Sequence, residues 1–253
     1  MQQLNYGLED KVFVVTGGSR GIGAATARLC GGYGHAVCVA YRAEADKAKA
    51  VVAAIESAGG KAIAVQADTG VEADVKRLFE TVDRELGPLT GLVNNAGIHG
   101  PHGRLEALAA RDIEAVLRVN VAGYFLCARE AVKRMSTRHG GKGGAIVNVS
   151  SGSANNGSPN EGILYAASKG AVNSLTIGLA QEVAKDGIRV NTVSPGLTSP
   201  GMPPPEKVAE LAPRLPMGRA GRPEEIAEAI CWLLSDKASY TSAANLRVGG
   251  GRP

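Results

Sequence analysis

Lys11-Val12-Phe13-Val14-Val15-Thr16-Gly17-Gly18-Ser19-Arg20-Gly21-Ile22-Gly23 is the stretch on which the fold of this 253-residue chain turns. From Val12 to Val15 the side chains are β-branched or aromatic with no polar alternation, the pattern of a strand buried on both faces. The run passes directly into a glycine cluster, and helix-forming residues continue from Ile22 to Gly32. Glycine allows a tight turn and close backbone approach to a ligand. A helix starting there directs its unpaired N–H groups outward, where a phosphate is stabilised. Strand, glycine turn and helix in the first crossover unit therefore predict a dinucleotide site built on Gly17, Ser19, Arg20, Gly21, Ile22 and Gly23.

The same theme repeats along the chain. Apolar runs at Ala36–Ala40, Ala62–Val65, Gly91–Asn94, Ala145–Val149 and Ile188–Val193 read as strands, with a short last one over Asn245–Val248. Helical patterns occupy Ala43–Ala58, Glu72–Leu86, one long segment from Ala110 to Arg138, Gly162–Asp186 and Pro223–Leu234, and Gly59, Gly87 and Gly187 close three of them. Strands joined by crossovers of this length form a parallel sheet covered by helices on both faces. No linker or repeat marks a second domain, so residues 1–253 are expected to form one Rossmann-like, doubly wound α/β domain of about seven strands.

Composition narrows the function. The chain is 44% hydrophobic and 21% charged, with net charge +4 and the two signs interspersed. That suits a globular domain with a sizeable core and gives no basic block for nucleic acid. Cys30, Cys38, Cys127 and Cys231 sit singly in apolar runs without metal-ligand or redox spacing, so they read as buried free thiols and no metal site is expected. His99 and His102 flank Gly100-Pro101 and read as a solvated loop, with cleft lining as the other reading. Met1 to Asp10 lacks a signal pattern and no run approaches a membrane span, so a cytoplasmic protein is expected.

Two further stretches carry chemistry. In Tyr165-Ala166-Ala167-Ser168-Lys169, residues four apart share a helix face, so phenol and ammonium can meet in one cleft. A cation beside a phenol favours its anion, and such a pair can give or take a proton in ketone reduction or alcohol oxidation. The interval from Thr198 to Met217 holds six prolines, admits only a short helix over Glu206–Leu211, and follows a strand on the ligand side of an open sheet. It reads either as a substrate lid around residues 198–217 or as a proline-stiffened loop.

The glycine loop has the spacing Thr-Gly-x-x-x-Gly-x-Gly, and at this point the chain resembles the short-chain dehydrogenase/reductase family. Asp68 after the third strand, Asn94-Asn95-Ala96-Gly97, Asn120, Ser150-Ser151, Tyr165-x-x-x-Lys169 and Pro195-Gly196 follow in that family's order over about residues 9 to 251. The overall look is similar to bacterial glucose dehydrogenase-like and 3-oxoacyl-carrier-protein reductase-like members. The resemblance implies Tyr165 as general acid or base, and Lys169 lowering its pKa and holding the nicotinamide ribose. It implies Ser151 as hydrogen-bond partner of the substrate oxygen, and Asn120 as the kink that holds a proton-relay water. Ser151 is preferred to Ser150, although it lies 14 residues before the tyrosine where the family has about 13, which puts one inserted residue in Gly152–Leu164.

The resemblance also implies cofactor contacts at Asp68 and Thr69 on the adenine, at Asn94, Ala96 and Gly97 along the groove, and at Pro195 and Gly196. No acidic residue follows the second strand before Glu44; Tyr41 and Arg42 stand there, and Arg20 and Arg42 could clamp a 2′-phosphate. The expected cofactor is therefore NADP(H) rather than NAD(H). The usual carboxamide-binding threonine falls on Pro200, leaving Thr198 or Ser199 to replace it. The substrate is expected to be a small carbonyl or secondary alcohol and the assembly a homotetramer, with a homodimer as the other possibility. A cofactor-binding redox sensor without catalysis is the alternative function.

Overall fold

In the computed structural model, residues 11–202 and 204–252 are described. The readings of Met1 to Asp10 and of Pro203 lie outside them. Seven strands form one sheet in the order β3-β2-β1-β4-β5-β6-β7, and all pairs are parallel. They are β1 (Val12–Thr16), β2 (Ala36–Tyr41), β3 (Lys61–Gln66), β4 (Gly91–Asn94), β5 (Gly144–Val149), β6 (Ile188–Pro195) and β7 (Asn245–Val248). The chain walks outward from β1 to β3 and then crosses back to β4. The order therefore reverses between β1 and β4, and a crevice opens there beyond the carboxyl ends of the strands.

Nine α-helices among the described residues supply the crossovers and the covering layers. They are α1 (Gly21–Gly32), α2 (Ala45–Ser57), α3 (Glu72–Glu85), α4 (Ala110–Leu117), α5 (Gly123–Met135), α6 (Ser153–Asn156), α7 (Ile163–Val183), α8 (Pro205–Leu211) and α9 (Pro223–Leu234). Alternate residues of each central strand go to opposite faces. Phe13 and Val15 pack with Val37, Val39, Val147 and Val193 under α1, α2 and α9. Val12 and Val14 pack with Leu92, Ile146 and Val190 under α3, α5 and α7. The unbroken apolar runs follow from this two-sided burial. Gly59 and Gly87 stand just past the ends of α2 and α3 with φ +86° and +96°, as expected for left-handed terminators.

Two differences from the sequence reading matter. The long helix expected over 110–138 is interrupted: α4 passes through a π-helical turn, Arg118–Ala122, into α5, and Ser136 ends the run in an extended conformation. A wide turn of this kind adds a residue without breaking the helix axis, and it is common at functional sites. Here it contains Asn120. The four cysteines are buried free thiols as expected, but packing of α1 on α9 brings Cys30 Sγ to 3.4 Å from Cys231 Sγ, across 201 positions of sequence.

Candidate active site

The crevice is a cleft of about 980 Å³. Its floor at β1 is stitched by polar contacts. Thr16 Oγ1 accepts from the backbone N–H of Asn95 (2.9 Å) and Ala96 (3.1 Å), and Asn95 Nδ2 donates to the carbonyls of Thr16 (2.9 Å) and Gly17 (3.2 Å). Gly17 and Gly21 hold φ of +63° and +53°, where side chains are disfavoured. A Cβ on Gly23 would run into the carbonyl oxygen of Gly17, so the turn closes only with glycine there. α1 opens with no side-chain cap and no acidic residue in its first turn. Its free N–H groups and positive dipole end face the cleft, which fits an anionic pyrophosphate.

Tyr165 and Lys169 lie on the first turns of α7, and both line the cleft. The Tyr165 phenol and the Ser151 side chain line the same wall of the cleft, and Ser151 Oγ accepts from Ser153 N (3.1 Å). Burial pushes the phenol's pKa above its ordinary value, and the nearby Ser151 hydroxyl acts against that rise. Lys169 is buried, and its ammonium donates to the Val149 carbonyl (2.7 Å) and to the Tyr124 hydroxyl (3.0 Å). It stands 5.7 Å from the Tyr165 ring centroid. Burial lowers its pKa from 10.5 to about 7. Burial is the largest influence on both groups, raising the pKa of the phenol and lowering that of the ammonium. Tyr165 keeps its proton through the neutral range, while Lys169 exchanges its own near neutrality. Tyr124 Oη donates to Val149, and burial holds it protonated as well.

Asn120 is fully buried behind this pair. Its Oδ1 accepts from Ile98 N (2.8 Å), and its Nδ2 donates to Ile98 O (2.8 Å) and Ser168 Oγ (3.0 Å); Ser168 Oγ in turn donates to the Tyr165 carbonyl (2.7 Å). The chain of bonds ties the loop after β4 to the α7 turn that presents Tyr165. Both amide hydrogens of Asn120 are committed, so a relay water at this residue has only oxygen to bind.

Apart from Gly23, Asn94 and Asn120, every predicted site residue lines the cleft. Asn94 is a correction. As the last residue of β4 its side chain turns under the sheet, donating to Asn148 Oδ1 (3.0 Å) and the Tyr124 carbonyl, and Asn95 takes the place in the groove. Ser150 is 2% exposed and donates to the Lys169 carbonyl, so Ser151 is the serine that meets the tyrosine. Thr198 Oγ1 donates to the Gly196 carbonyl (3.1 Å), leaving its lone pairs free. His99 and His102 are a second correction: they line the cleft and stack. The His99 ring lies between His102 (4.3 Å, 14°) and Tyr165 (4.7 Å, 16°), and burial, then His102, lowers its pKa. Nothing in the spacing announced that stack. Between β6 and α9, α8 is tied across the mouth by the ion pair of Lys207 with Glu161. Among the described residues no cluster of three His, Cys, Asp or Glu side chains could hold a metal, and no helix is long and apolar enough to cross a membrane.

A parallel sheet with its order reversed at a glycine turn, and a Ser–Tyr–Lys set beside it, define a class that comparison with known proteins makes specific. The family model described as enoyl-(acyl carrier protein) reductase matches residues 17–252. The chain belongs to the short-chain dehydrogenase/reductase family of oxidoreductases. It is 49% identical over 245 residues to the uncharacterized oxidoreductase YgfF of Escherichia coli K12, covering 95% of this chain and 99% of that one. It is 41% identical over 250 residues to the cis-4-hydroxycyclohexanecarboxylate dehydrogenase of Sinomonas cyclohexanicum, covering 96% of each. Its fold superposes with TM-score 0.90 on a short-chain dehydrogenase from Burkholderia cenocepacia J2315 in complex with NADP, at 36% identity and covering 96% of this chain and 98% of that one.

Proposed function

We propose that this chain is an NADP(H)-dependent oxidoreductase that interconverts a carbonyl and a secondary alcohol. The observation that carries the reading is that Ser151, Tyr165 and Lys169 line the same cleft as the uncapped start of α1. When bound, the nicotinamide cofactor supplies or accepts hydride. The chain's own residues handle the oxygen. Ser151 donates to the substrate oxygen and stabilises the charge that develops there. Tyr165 delivers a proton to that oxygen in reduction and removes it in oxidation. Lys169, its pKa lowered to about 7 by burial, re-supplies the proton and would hold the nicotinamide ribose. Asn120 fixes the turn that presents the tyrosine. Gly17, Ser19, Arg20, Gly21, Ile22 and Gly23 would form or brace the turn that holds the pyrophosphate, Asp68, Thr69, Ala96 and Gly97 would hold the adenosine half, and Pro195, Gly196 and Thr198 would hold the carboxamide.

The preference for NADP(H) rests on Arg20, Tyr41 and Arg42. All three line the cleft at the end of β2, and neither arginine has an ion-pair partner among the described residues, whereas Glu44 is engaged by Lys47. The NADP complex of the Burkholderia protein and the secondary alcohol in the name of the Sinomonas relative support the cofactor and the reaction class. Residues 198–217 act as the lid, latched through Lys207. The exposed apolar Phe125 on α5 and Ile177 on α7 suit a subunit interface, and we propose a cytoplasmic homotetramer. Initial rates with NADPH and NADH over a panel of ketones, sugars and 3-oxoacyl thioesters test the function. A kcat/KM at least tenfold higher with NADPH is expected. A preference for NADH refutes the cofactor assignment, and no turnover of any carbonyl refutes the enzyme.

A further inference from the structure

Three carboxylates line the cleft, and each is already neutralised: Glu44 by Lys47, Asp68 by Arg118 and Glu161 by Lys207. The cations are unevenly matched. Arg20 and Arg42 at the β2 end suit a cofactor phosphate, but Arg247 and Arg252 line the same cleft at the β7 edge. Five strand spacings separate β2 from β7, about 24 Å, so this second pair lies well away from the first. It lies on the side of Ser151.

Arg247 is built in. Its side chain leaves β7 opposite Ser194, and Nη1 donates to the Ser194 carbonyl (2.7 Å). The guanidinium runs through a slot cleared by two glycines: a Cβ on Gly152 would run into Nη2, and one on Gly249 would meet Cζ at 2.5 Å. Gly152 directly follows Ser151. Nε is buried without a hydrogen-bond partner, and among the described residues Arg247 pairs with no carboxylate. Its electrostatic neighbour is Arg252, a like charge, which together with burial disfavours the cation. Arg247 is partly buried and Arg252 exposed, and a half-covered guanidinium with a buried donor unmatched beside another cation favours an anion that completes the arrangement.

We infer that Arg247, assisted by Arg252, is a substrate subsite for a carboxylate, so that the preferred substrates are oxo acids and hydroxy acids whose reacting oxygen sits at Ser151 and Tyr165. The planar fork of arginine matches a carboxylate, and the slot fixes its plane. The inference rests on the carbonyl–alcohol reading of the site and adds the substrate class to it.

Calorimetric titration of the protein saturated with NADP⁺ by 4-acetylbenzoate and by its methyl ester measures the subsite without hydride transfer. Binding of the acid tenfold to a hundredfold tighter than the ester is expected, the range of one charge-assisted hydrogen-bonded pair. In Arg247→Met, which keeps the aliphatic stem, that ratio falls at least tenfold; in Arg247→Lys part of it survives; circular dichroism melts verify that each variant is folded. An acid-to-ester ratio near one in the wild type, or one unchanged in folded Arg247→Met, overturns the inference. Competition by inorganic phosphate at equal affinity also overturns it, since the site would then read a free anion. Turnover of the ester by NADPH with no acid preference defeats the subsite alone, while a strong acid preference in binding with no turnover of any carbonyl in the panel upholds the subsite and defeats the oxidoreductase reading.

Discussion

Replacing Lys169 by methionine should abolish turnover and yet leave a protein whose stability, relative to wild type, depends on pH in a defined way. A lysine pKa lowered from 10.5 to about 7 means that charging the ammonium costs about 5 kcal/mol more in the folded chain than in the unfolded one. Between those two values the unfolded state binds the extra proton, so wild-type stability rises with pH from about 7 to 10.5. The cost is fully present below pH 7 and vanishes above 10.5. At pH 6 it is about 5 kcal/mol and at pH 9 about 2 kcal/mol, so the wild type should gain about 3 kcal/mol on Lys169→Met between the two. The lost donors to Val149 and Tyr124 add a pH-independent offset, softened because Tyr124 still donates to Val149. Urea unfolding followed by fluorescence of the single tryptophan, Trp232, measures both proteins at both pH values. A stability difference that does not change between pH 6 and 9 would refute the neutralisation of Lys169 by burial.

Other outcomes follow from the same structure. Arg42→Ala should raise the KM for NADPH by about tenfold to a hundredfold, the loss of a charge-assisted contact, with less than a threefold change for NADH in steady-state rates. Asn120→Ala removes three bonds that join Ile98 and Ser168 behind Tyr165, so it should cost about 2–4 kcal/mol in urea unfolding and lower kcat more than it raises KM. His35 is fully buried against Phe13 with neither ring nitrogen partnered, and burial, then Lys11, lowers its pKa to about 4. Its contribution is present above pH 6.5 and lost as pH falls toward 4, by about 3 kcal/mol. His35→Leu should flatten that part of the acid unfolding curve.

Much of this architecture is legible because the central parallel strands, buried on both faces, leave unbroken apolar runs; the short edge strand β7, with Asn245 and Arg247, carries that signal only weakly. The glycine turn reads because only its backbone geometry, not its neighbours, decides which residues fit. Contacts between distant residues do not read. The Asn94–Asn95 exchange depends on which face the last residue of a strand takes. The partners of Lys169, Tyr124 and Val149, lie 45 and 20 positions away and are set by how α5 and β5 meet α7. The kink at Asn120 reads only through the family resemblance, because the apolar spacing there continues that of a regular helix. The His99 stack and the Arg247 slot depend on loop and strand-end placement, where composition specifies little.

The central claim is that hydride crosses to a carbonyl carbon while Tyr165 delivers the proton. Reduction of an accepted ketone with NADPH deuterated at nicotinamide C4, followed by mass spectrometry of the alcohol, tests it directly. The wild type should place one deuterium on the carbinol carbon, and Tyr165→Phe should bind NADPH with unchanged affinity but form less than a thousandth of that product. Undiminished labelled product from Tyr165→Phe, or an unlabelled alcohol from the wild type, would contradict the account.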